Sequence, residues 1–215
     1  MPKLSRAKRI VLTLLLAGAA ASTHAASDAA FQSAFDHFTK ATAGDEAAIE
    51  KAASSFATLL SAEPANPVLM AYSGASTAML AKTTFLPFRK LGYAEDGLAK
   101  VDKALALLTP ASDAPIQHST PGSLEVKFVS ATTMLAVPDF MNRNARAVKL
   151  LTEIVDSPLF GKAPLAFRGQ VLLRAGEVAV QQNRVADARR LFGEVITQGA
   201  PQAGIARTRL RDIPA

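Results

Sequence analysis

The sequence predicts an all-α fold, and three observations carry that prediction. Alanine and leucine dominate the chain beyond its first 25 residues, and tryptophan is absent. Apolar residues recur at three- and four-residue spacing in one segment after another, whereas the Val/Ile-containing runs show no sustained alternation of period two. Prolines and glycines fall between these segments and punctuate them.

The first segment has Ala30, Phe31, Ala34, Phe35 and Phe38 on one face and closes at Gly44. Asp45 is placed to cap a second helix running to about residue 62, where Ile49, Ala52, Ala53, Phe56, Leu59 and Leu60 share a face. Glu63-Pro64 and Asn66-Pro67 end it. A third helix, over residues 67–82, carries Met70, Tyr72, Gly74, Ala75, Ala78 and Met79, a set small enough for close helix packing and apolar on more than one side. The fourth, over 89–108, is lightly interrupted by Gly92 and Gly97 and presents Ala94, Leu98, Val101, Leu105 and Leu108 until Thr109-Pro110 stops it. A polar loop runs to Gly122. Further helices are expected over 123–137, 142–155, 164–182, 185–198 and 202–210, with a turn near Gln182-Asn183-Arg184 joining the best-marked pair.

Residues 1–25 have the order of a secretory signal peptide: cations at Lys3, Arg6, Lys8 and Arg9, an apolar run from Ile10 to Ala21, and small residues Thr23 and Ala25 before the expected cut. The apolar run is too short for a spanning helix, which needs about 20 residues. The expected product is one α-helical domain over 26–215, exported to a bacterial periplasm or, second, to the medium. The sequence has no cysteine, so neither a cysteine-linked lipid nor a disulfide framework is available. The net charge of +6 shrinks without the leader, because residues 26–215 hold 20 basic and 18 acidic residues. They are unevenly shared: 26–141 has 8 basic and 12 acidic residues, and 142–215 has 12 and 6. That polarity suits an acidic partner or mutual attraction of the halves, but a solvated arginine-rich helix face is the explanation given more weight. A nucleic-acid partner does not fit an exported chain of such modest charge.

Prolines that close alternate helices, Pro64, Pro110, Pro158 and Pro201, are 46, 48 and 43 residues apart, a loose repeat of about four helical hairpins. In the last complete unit Gly176, Ala188, Phe192 and Pro201 resemble the tetratricopeptide repeat pattern: a small residue in the first helix, alanine and then an aromatic four residues on in the second, and a closing proline. Ala52 and Phe56 match the second helix of the first unit, and Gly74 and Gly97 take the corresponding places in the second. The family's repeat is about 34 residues, so these longer, variable units describe an irregular array. The resemblance implies that the small residues let paired helices approach while the aromatic fills the gap to the next hairpin. It also implies protein or peptide binding on an inner groove and no reaction.

No His-Glu-x-x-His, phosphate-binding loop, dinucleotide fingerprint or Gly-x-Ser-x-Gly turn is present, and His24 belongs to the leader, leaving His37 and His118. No catalytic residue, metal site or cofactor is expected, and a non-catalytic interaction scaffold is the function inferred. A small-molecule binder or enzyme with its pocket between helices is the alternative. Two enlarged turns offer partner-binding candidates: Phe85, Phe88, Arg89 and Lys90 in the first, Phe140, Met141 and Arg143 in the second. The competing expectation, given more weight, is that their apolar residues tuck beneath the turns as satellite core. A third reading, ranked last, has them touch anionic lipid.

Overall fold

A computed structural model describes residues 28–116 and 119–213. The leader read in residues 1–25 and His118 lie outside the described residues. Among those described, nine α-helices form and no strand does, apart from a bridge between Pro115 and Pro121. They are α1 (28–42), α2 (Glu46–Ala62), α3 (Pro67–Met79), α4 (Pro87–Ala106), α5 (Gly122–Ala136), α6 (Asn144–Val155), α7 (Leu165–Gln181), α8 (Val185–Thr197) and α9 (Ala203–Asp212).

Local chemistry sets the ends. Gly44, at φ 105°, closes α1: its N–H donates to Ala41 and the Asp45 N–H donates to Lys40, so two otherwise unpaired carbonyls are satisfied. The Asp45 side chain then accepts from the Ala47 N–H at 3.0 Å and caps α2. Asn66 caps α3 through the Val68 and Leu69 N–H groups, with Pro67 at the first helical position. The same fixed proline φ starts α4 at Pro87, two residues before the expected start. In the opposite sense, α6 begins two residues late, because Asn142 takes a left-handed conformation (φ 54°) after the 3-10 turn Asp139–Met141.

Consecutive helices pair as antiparallel hairpins, α3 with α4, α5 with α6 and α7 with α8, and α5 also packs on both α3 and α4 of the preceding hairpin. The glycines explain how close these pairs come. A Cβ on Gly97 would sit 2.7 Å from the Ala78 backbone nitrogen and 2.7 Å from the Gly74 carbonyl oxygen, so α3 and α4 meet backbone to backbone. A Cβ on Gly176 would meet the Phe192 ring at 2.5 Å. The ring of Phe192 therefore fills its own hairpin, whereas Phe56 stacks on Tyr72 of the next hairpin at 4.9 Å. Ala52, Phe56, Ala188 and Phe192 are fully buried, and Gly74, Gly97 and Gly176 are buried with them.

Helix α5 ties the core together. Val126 and Val129 join the cluster of Phe31, Phe56 and Tyr72; Ala131 and Met134 join that of Leu98, Val101 and Leu151; Leu124 joins that of Leu172, Phe192 and Val195. Helix α3 is buried on all sides from Val68 to Ser76, as its apolar residues on more than one face led us to expect.

Candidate interaction surface

The two enlarged turns are built differently. In the first, the Thr83 N–H donates to the Leu80 carbonyl and the Leu86 N–H to the Thr84 hydroxyl, and Pro87 fixes the backbone that follows. This defined turn holds apolar side chains away from the core. Phe85 is 96% exposed and Phe88 70% exposed, and Leu86 and Leu91 are exposed beside them. Arg89 and Lys90 are exposed on the same helix start, and Lys82 precedes the turn.

The second turn divides its residues. Phe140 is 70% exposed, but Met141 packs against the cluster of Leu98, Val101, Met134 and Leu151. Arg143 donates to Asp102 at 2.9 Å, and Arg146 donates to the other oxygen of the same carboxylate at 2.7 Å. Tucking beneath the turns thus describes Met141 and fails for Phe85, Phe88 and Phe140. The backbone of each turn is held by its own hydrogen bonds with Phe85, Phe88 and Phe140 directed to solvent, while Met141 alone reaches the core. Arg143, expected to flank an open surface, is drawn back to α4 by Asp102.

The turns do not form one continuous patch. Arg143 of the second turn reaches α4 at Asp102, and Phe88 lies fourteen residues earlier on that helix, about 21 Å along its axis. The two turns therefore meet α4 at well-separated levels.

Sequence reasoning missed a buried polar pair. Tyr72 of α3 donates its hydroxyl to a carboxylate oxygen of Glu125 of α5, and both residues are buried. Phe56 stacks on the Tyr72 ring, and the ring of Phe38 meets it edge-on at 4.9 Å. Burial, with the adjacent Glu125 charge, pushes the Tyr72 hydroxyl well above its ordinary pKa of 10.0. Tyr72 is accordingly a hydrogen-bond donor joining two helices, with no tendency to ionise near neutral pH. The available signal was Glu125 itself, the one acid in the apolar α5 segment.

Two concavities open elsewhere. One, of about 470 Å³, lies between the α2–α3 connection at Pro64–Pro67 and the segment that includes Ala111, Ala114 and Ile116. The other, of about 410 Å³, is lined by Leu105, Leu108 and Leu150 with Lys127, Arg146, Lys149 and Glu153, where Lys127 pairs with Glu153 at 2.8 Å. Neither is lined by residues of the Pro/Phe turns. Among the described residues, no group of three or more His, Cys, Asp or Glu side chains could hold a metal, and no helix is long and apolar enough to cross a membrane.

The fold and surface define an all-α protein of stacked helical hairpins that holds apolar side chains out on its turns. Comparison with protein-family models, with curated proteins and with solved structures gives no match to this chain.

Proposed function

We propose that the protein is an exported, non-catalytic interaction scaffold of the tetratricopeptide-like type, working in the bacterial periplasm and engaging a protein or peptide partner through its hairpin turns. One observation carries the proposal: large apolar side chains are concentrated in solvent at these turns, with Phe85, Leu86, Phe88 and Leu91 at one and Phe140 at the next. Aromatic residues beside basic ones are the composition of interface anchors. The proposal draws further support from α3 and α5, whose burial makes them framework and leaves binding to the periphery.

The test places a photo-crosslinking residue at Phe140 or Phe85 in the native host and identifies the captured protein. Binding is then measured with that protein purified. Phe140→Asp is expected to weaken it by about tenfold or more, the effect of truncating an interface anchor. Absence of any protein crosslink at either turn, under low-salt conditions that favour weak contacts, would count decisively against the scaffold reading.

A further inference from the structure

We propose that the α3–α4 turn docks the protein on an anionic lipid surface, with Phe85 and Phe88 entering the boundary between headgroups and acyl chains while Lys82, Arg89 and Lys90 meet lipid phosphates. The inference rests on the reading of the turns as contact surfaces and gives this one a lipid partner, leaving the Phe140 turn to a protein.

The shape of the tip comes first. Phe85 is 96% exposed, and exposed Leu86, Phe88 and Leu91 flank it at a single helix-to-helix turn. An exposed apolar tip needs a matching hollow on a protein, whereas a fluid lipid interface closes around it. The turn's internal hydrogen bonds and Pro87 already hold it in shape, so little ordering is lost on insertion.

Charge points the same way. From Pro64 to Ala94 the sequence contains no acidic residue, and its three basic residues in that stretch, Lys82, Arg89 and Lys90, are all exposed around the tip. Acids return at Glu95 and Asp96, about 10 Å along α4 from Phe88. The turn segment itself is thus free of acids, although Asp45 and Glu46 stand at the start of α2, whose Ala48 and Ile49 pack with Met79 and Leu80 just before the turn. Arg143 and Arg146 share the Asp102 carboxylate, but no ion pair engages Lys82, Arg89 or Lys90 among the described residues.

The position of the cations is a third observation. Arg89 and Lys90 lie at the start of α4, whose first turn has neither an acidic residue nor a side-chain cap. The helix dipole opposes cations at that end. Their placement there works against the isolated fold and becomes favourable once anionic phosphates face the same helix end.

The experiment mixes the chain purified from its host with vesicles of phosphatidylethanolamine and phosphatidylglycerol, or of phosphatidylcholine alone, and measures co-sedimentation. The wild type is expected to sediment with the anionic vesicles and to be released by high salt. Phe85→Asp combined with Phe88→Asp is expected to weaken binding by at least about tenfold. Arg89→Gln combined with Lys90→Gln is expected to weaken it by about fivefold per cation removed. Phe140→Asp should sediment as the wild type does, and all variants should melt at the wild-type temperature because the altered side chains are exposed. Indifference of the wild type to lipid charge, or full sedimentation of the Phe85/Phe88 variant, overturns the proposal. Capture of a protein in place of phospholipid by a crosslinker at Phe85, with vesicles present, also overturns it and leaves the contact-surface reading intact. Loss of protein capture at Phe140 has the opposite effect, overturning the protein partner while the lipid result stands.

Discussion

Glu125 is the one acid in α5, and it is buried against the hydroxyl of Tyr72, whose ring packs among Phe31, Phe35, Phe38 and Phe56. Removing that hydroxyl leaves a buried carboxylate without this donor, so Tyr72→Phe is expected to lower the unfolding free energy by about 1–3 kcal/mol, measured by urea denaturation. The pair also sets an alkaline limit. The folded-state pKa of Tyr72 is raised above 10.0, so an unfolded chain loses the tyrosine proton first. The stabilisation is fully present below pH 10.0 and declines as pH rises from there toward the folded value. Stability measured across that range should fall less steeply in Tyr72→Phe than in the wild type. In the sequence, Glu125 stands out as a charge in an apolar run, yet nothing marks Tyr72 as its partner because 53 residues separate them.

At the scale of the helices, chain ends were legible wherever the signal is local. Asp45 and Asn66 cap the helices they precede, because a short side-chain oxygen reaches the next two or three N–H groups without help from tertiary contacts. Asp45→Ala should therefore cost about 1 kcal/mol in thermal or urea unfolding. The glycines of α4 both interrupt its helical pattern, and only the place of Gly97 in the repeat, opposite Gly74, sets it apart from Gly92 in the sequence. A Cβ at Gly92 has nothing within 4 Å, whereas at Gly97 it strikes the Ala78 backbone at 2.7 Å. Gly92→Ala is expected to stabilise by roughly 0.5–1 kcal/mol through helix propensity. Gly97→Ala should destabilise by about 1–3 kcal/mol or more, as two backbones are forced apart. Opposite shifts in melting temperature would check both, and a common sign would refute the backbone-contact account of this hairpin.

For the whole molecule, stability and surface function separate along the array. Phe192 is fully buried over Gly176, so Phe192→Ala should cost about 3–5 kcal/mol in urea unfolding. Phe85→Asp with Phe88→Asp should stay within about 0.5 kcal/mol of the wild type, since neither ring leaves solvent on folding to any large extent. A large loss in that double variant would mean that the turn is part of the core. The sequence alone determined the all-α class, the approximate helix boundaries and most residues of each apolar stripe, because helical period and capping depend on neighbours a few residues away. Only the tertiary structure decided that Met141 turns inward while Phe140 turns out, that Asp102 draws in Arg143, and that Glu125 meets Tyr72. Those outcomes depend on which distant surfaces come together, and a turn residue is buried only when another element stands over it.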